Sequence, residues 1–135
     1  MAFQFSVSVR NGRLDSIETT ISVSAIMKIR SGAQPADCAT ADSGTVLATL
    51  NLPSDWMTAA SGGTKGKSGT WQDVSADAAG TAGHFRVYDS GGTVCHMQGS
   101  VTATGGGGDL QVDNTSIAAG QTVTVTGFTF TDGNA

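Results

Sequence analysis

At 135 residues the chain has room for one domain with a modest core. Gly, Ala, Ser and Thr make up half of it, 13% of its residues are charged and its net charge is −4 at pH 7. So few charges exclude the apolar-poor, highly charged composition of a disordered chain, and seven scattered Lys and Arg exclude the clustered basic face that a nucleic-acid backbone requires.

Taken in chain order, Phe3, Val7, Arg10, Leu14, Ile17 and Ile21 recur in steps of four and three, which is one stripe of a helix. The same start also alternates Phe3, Phe5, Val7 and Val9 with polar residues, a strand period. The spacing predicts a helix over 9–20, weakened by Gly12, and leaves 2–8 open between helix and extended arm. Such an element either covers a face of a sheet or packs on a partner subunit.

SAIMKIRS (24–31) and TVLATLNL (45–52) read as strands, the second ended by Pro53, which cannot donate to a ladder. A loop joins them. Residues 54–57 are expected to form a short strand or turn, with the Trp56 indole capping the core edge. Trp71 is expected to anchor a strand over 66–73. Residues 82–103 give the clearest signal: Phe85, Val87 and Tyr88 run into Asp89-Ser90-Gly91-Gly92, and Val94, Cys95, Met97 and Val101 run out, a β-hairpin. Gly105–Gly108 is either a flexible tip or a close approach of two backbones. Leu110 and Val112 mark a short strand. Val123, Val125, Phe128 and Phe130 mark a last one, with Gly127 shifting the phase as a bulge does. The expected core anchors are Ile29, Val46, Leu50, Trp71, Phe85, Val87, Val101, Val123, Val125 and Phe130. Seven or eight short strands with Gly-rich turns predict a mainly β chain, a sandwich or barrel, with a short N-terminal helix or arm.

Candidate chemistry is sparse. His84 and His96 lie on opposite arms of the hairpin, where pairing could make them neighbours. Cys95 and His96 are adjacent, so they point to opposite faces and supply no third metal ligand. The histidines are therefore expected on the solvent face. Asp37/Asp42 and Asp109/Asp113 could offer oxygens to calcium, but their spacing matches no EF-hand. No Gly-x-Ser-x-Gly elbow is present, and no Lys-Ser/Thr pair follows Gly105–Gly108. Lys65 and Lys67 are expected as solvated cations. The start MAFQFSVSVR lacks the charge and apolar block of a secretory signal, so folding in a cytoplasm is expected, with Cys38 and Cys95 as free thiols. No run reaches the roughly 20 apolar residues that span a membrane. These features predict no catalytic residue, no metal and no cofactor.

The stretches MAFQFSVSVRNGRLDSIETTI, MKIRSGAQPADC, TVLATLNLPSDWM, SGTWQD, GTAGHFRVYDSGGTVCHMQGSV and DNTSIAAGQTVTVTGFTFTDGNA together resemble a family of small structural proteins of tailed bacteriophages. The likeness runs over nearly the whole chain, but no site residue transfers with it. It implies a virion component: a capsid decoration, or cement, protein with a jelly-roll-like β-sandwich, or else a small neck or tail protein. On that reading residues 1–22 form an N-terminal arm or helix and 23–135 a β-sandwich domain. The expected partners are the major capsid protein and the chain itself, as a dimer or trimer, with no nucleic acid and no membrane. The expected interface is Phe3, Phe5, Val7, Leu14 and Ile17. The expected location is the capsid surface, after synthesis in the host bacterial cytoplasm. A receptor-binding or carbohydrate-binding module is the alternative.

Overall fold

The computed structural model describes residues 3–133. Its one helix among those residues, α1 (Val7–Ile21), begins two residues earlier than the periodicity predicts. The reason is Ser6, which is extended and accepts the Val9 N–H on its hydroxyl at 3.2 Å, an N-cap. Gly12 does not break α1, because it lies on the solvent side. Only the C-terminal half of the predicted stripe is the packed face: Leu14 and Ile21 are buried and Ile17 packs partly against the core, whereas Phe3 and Val7 are exposed.

The rest of the described chain is mainly β, a curled mixed sheet shaped as a half-barrel. Its strands are β1 (Ile26–Ser31), β2 (Val46–Asn51), β3 (Thr64–Gly66), β4 (Gln72–Asp73), β5 (Gly80–Tyr88), β6 (Cys95–Ala103), β7 (Leu110–Val112), β8 (Ser116–Ile117) and β9 (Val123–Thr131). They run in the order β2-β1-β5-β6-β7-β9-β3, with β4 added on β9 and β8 on β5. Within this order β6 and β7 pair in parallel. The crossover between them is the Gly105–Gly108 loop, which is built by close approach. The Gly108 N–H donates to the Thr102 hydroxyl at 3.0 Å, and a Cβ at Gly106 or Gly108 would collide with Thr102.

The β5–β6 hairpin forms where the turn chemistry puts it. Asp89 Oδ1 accepts the N–H groups of Thr93 and Val94 at 3.2 and 3.3 Å, and a bulge falls between Val87 and Tyr88. Central β5 is buried on both faces. Phe85 and Val87 enter the core with Met27, Ile29, Leu50, Val123 and Val125. His84, Arg86 and Tyr88 face the other way and are also buried, under the 32–44 loop.

Several expectations are corrected. No single strand runs over 66–73; β3 ends at Gly66 and β4 starts only at Gln72, with the fully buried Trp71 between them. Trp56 does not cap an edge. It is fully buried, with its ring 5.9 Å from that of Trp71, and its indole N–H reaches Ser22 O at 2.9 Å. Val46 and Phe130 are only half-buried, and Leu47 is fully buried instead. His84 is not on a solvent face and does not meet His96. It pairs with Ser100 and lies buried, its Nδ1 2.9 Å from Gly32 O. Lys65 is not solvated either; its side chain is 2% exposed.

Candidate functional site

The segment that presents apolar surface is the N-terminal one, and the rest of α1 explains why it is held in place. The inward polar side chains of α1 bond to two neighbours, the 57–63 loop and the end of β9. Arg10 Nη1 donates to Asp132 O at 3.0 Å, and Arg13 Nε lies 3.2 Å from the Asp132 carboxylate. Asn11 Oδ1 accepts the Gly63 N–H at 2.9 Å, Asp15 Oδ1 the Ala60 N–H at 2.9 Å and Glu18 Oε1 the Met57 N–H at 3.3 Å. Loop backbone that would otherwise lack partners is satisfied by side chains of the helix.

Lys65 is the centre of this dock. From β3 its ammonium reaches Asp15 Oδ1 at 2.8 Å, Glu18 Oε2 at 2.9 Å and Thr58 O at 2.8 Å, which uses all three donors. Burial alone would push Lys65 down, but the hydrogen bonds and charges of Asp15 and Glu18 outweigh it and hold the ammonium above its ordinary value. The hydrogen bond from Lys65, followed by that from the Ala60 N–H, holds the Asp15 carboxyl below the usual range.

Beyond this dock the chain turns its apolar groups outward. Phe3 is 78% exposed, Phe5 38%, Val7 46% and Val9 45%. The two phenylalanine rings meet edge to face at 5.1 Å, and the Arg13 guanidinium stands 5.0 Å from the Phe5 ring centre. The five residues expected at a partner interface therefore divide. Phe3, Phe5 and Val7 face solvent, whereas Leu14 and Ile17 turn inward, onto a groove of about 340 Å3 shared with Phe130 and Asp132. The first three are exposed, Leu14 is buried, and Ile17 packs partly against the core.

A second polar cluster lies on the outer face of β1 and β5. Asp42, from the 32–44 loop, accepts Arg86 Nη1 at 2.5 Å, the Tyr88 hydroxyl at 2.7 Å and, on its other oxygen, Arg30 Nη2 at 2.9 Å. Burial pushes the Asp42 carboxyl up, but the Tyr88 hydroxyl and the two guanidiniums outweigh it and leave the group below its ordinary value. Arg86 also donates to Gln98, to Asp37 O and to Thr40 O, which ties the loop down. Sequence reading missed this cluster. Its one signal was polar residues alternating through both strands, Lys28 and Arg30 in β1 with His84, Arg86 and Tyr88 in β5, a pattern that an exposed face gives equally well.

The other candidate groups do not come together. Asp37 caps its own turn, Asp109 binds Ser100, and Asp113 accepts the N–H groups of Asn114 and Thr124. Among the described residues no three His, Cys, Asp or Glu side chains are placed to share a metal ion. A cavity of about 480 Å3 lies between α1 and the 54–59 segment, lined by Asp15, Glu18, Ser22, Ser54, Asp55 and Thr58 among others. No helix among the described residues is long and apolar enough to cross a membrane. No protein-family model matches the chain, and neither does any curated protein or solved structure.

Proposed function

We propose that the chain is a non-enzymatic virion structural protein of a tailed bacteriophage: a capsid decoration protein that binds major capsid subunits on the outside of the head. One observation carries the reading beyond the sequence resemblance. Phe3, Phe5, Val7 and Val9 are presented outward from an element whose other side is fixed to the sheet through Lys65, Arg10 and Asn11. Fixing an apolar segment before it binds lowers the ordering cost of binding. Burying two phenylalanines and two valines contributes a few kcal/mol per copy at about 25 cal/mol per Å2, a weak contact alone. On a symmetric lattice such contacts add through avidity. The jelly-roll-like sandwich, the dimer or trimer, synthesis in the host cytoplasm and residence on the capsid surface belong to the same proposal.

The test is the copy number in purified particles of the phage that encodes the chain, by quantitative mass spectrometry against the major capsid protein. Hundreds of copies in fixed ratio support decoration. About a dozen move the chain to the neck or tail, and none removes the virion reading.

A carbohydrate-binding module is the second reading, favoured by the hydroxyl-lined cavity beside α1. It ranks below the first because both tryptophans, the usual stacking platforms for a sugar ring, are fully buried. A thermal-shift screen against sugars tests it, since a ligand of the native state alone raises the melting point.

A further inference from the structure

We infer that Cys38 and Cys95 are a disulfide-forming pair, a modification site at which oxidation clips the 32–44 loop to the first residue of β6. The inference is independent of the partner proposed above.

The argument starts from how each thiol is placed. Cys38 sits inside a tight turn. The Asp37 carboxylate accepts the Thr40 N–H and hydroxyl at 2.8 Å each, and the Thr40 N–H also lies 3.2 Å from Asp37 O. Arg86 grips both ends of that turn, at 2.8 Å to Asp37 O and 3.0 Å to Thr40 O. Cys95 opposes Tyr88 in the β5–β6 ladder, and the Tyr88 hydroxyl is bonded to Asp42 at the far end of the same loop. Adjacent β5 side chains thus hold the loop in place against the strand end that carries Cys95. The two thiols are neighbours there, close enough that burial and then Cys38 push the Cys95 thiol up, while the Cys95 thiol itself donates to Met97 O at 3.4 Å. Both are half-buried, and both line a surface cavity of about 290 Å3 with Thr40, Asp42 and Arg86. A nearby pair on fixed backbones meets the geometric demand of a disulfide more readily than one on mobile loops.

The chemistry needs an oxidant, and a small-molecule disulfide of the glutathione class supplies it. Both thiols are half-buried on the same cavity, so the reagent reaches either one, and the exchange balances identically from each. Starting from Cys38, the thiolate attacks one sulfur of the reagent, the reagent's S–S bond breaks, and one thiolate leaves and takes up a proton. Cys95 then loses its proton and attacks the Cys38 sulfur of the mixed disulfide, expelling the second thiolate, which is protonated in turn. Two protein thiols are oxidised by two electrons and one reagent disulfide is reduced to two thiols. The product bridge constrains the unfolded chain between residues 38 and 95.

The experiment incubates the full chain with excess oxidised glutathione, then measures intact mass, free thiols after denaturation and the melting point. The expected product is monomeric and about 2 Da lighter, has no free thiol, yields a Cys38–Cys95 cross-linked peptide and melts about 10 °C higher, reversibly with dithiothreitol. C38S treated in the same way forms no internal bridge. A stable glutathione adduct on either cysteine of the unmutated protein, two unchanged thiols or a disulfide-linked dimer overturns the proposal. The unmutated protein alone decides between these outcomes.

Discussion

Two ionic clusters, one around Lys65 and one around Asp42, set the residue-scale energetics, and each makes a signed prediction. Lys65 is inaccessible, while the side chains of its partners Asp15 and Glu18 are 46% and 20% exposed. Removing the lysine leaves carboxylates that water can reach; removing both carboxylates strands an ammonium in the core. K65M is therefore expected to cost about 1 kcal/mol and D15N/E18Q about 3 kcal/mol, measured by urea denaturation. The reverse order would show that the three groups do not act as the clamp described. Asp42 gives a pH dependence. Its folded value lies below the ordinary one, so the carboxylate's contribution is complete above about pH 4–5 and is lost as pH falls through the folded value. The urea midpoint is expected to hold from pH 7 to about 5 and then fall. In D42N it starts lower, because Arg30 and Arg86 lose their counter-ion, and falls less steeply. An unchanged slope in D42N would place the acid sensitivity elsewhere. Neither cluster was legible in the sequence. Lys65-Gly66-Lys67 reads as solvent-facing because Asp15 and Glu18 lie some fifty positions away, and nothing local announces their approach.

The elements that were legible owe it to local chemistry. The 82–103 hairpin follows from its Asp-Ser-Gly-Gly turn, and the packed face of α1 from its four-three spacing. β3, β4 and β8 are two or three residues long and carry no period, so only pairing with β9 or β5 defines them. The dock of α1 decides what removing the helix does. An N-terminal arm that serves only a partner could be removed without harm. This one supplies Leu14 and the partly buried Ile17 to the core side and both carboxylates to Lys65. Deleting residues 1–20 is therefore expected to abolish cooperative unfolding, read by near-UV circular dichroism and a melting scan. A truncated chain that melts within a few degrees of the full one would show that α1 is an accessory. Gly83 tests the cover on the opposite face of the sheet. A Cβ there would run into the Gly32 carbonyl, so G83A must displace the start of the 32–44 loop. A loss of about 2 kcal/mol is expected from urea denaturation, with Arg86 and His84 the groups that lose their partners.

At the scale of the whole molecule, a half-barrel carries an exposed apolar prow at its N-terminal helix, and this separates stability from association. Phe3 and Phe5 touch each other, the Arg13 guanidinium stands over the Phe5 ring, and neither phenylalanine belongs to the hydrophobic core. F3S/F5S should then leave the melting point within about 2 °C of the parent, since surface changes away from packed features usually stay within about 0.5 kcal/mol. If the proposed decoration role holds, binding to heads stripped of the protein should respond very differently, and its size reports the valence of attachment. Losing one phenylalanine contact of about 1 kcal/mol weakens a single-armed monomer about 5-fold. If three arms engage one lattice site together, the same change applies three times and F3S alone weakens binding about 100-fold. Titrating F3S against stripped heads and comparing the two factors distinguishes a monomer from a trimer without a structure of the complex. If F3S/F5S binds as tightly as the parent, the prow is not the contact. Attachment would then pass through another face, with the exposed Val74 and Val94 as the next residues to change.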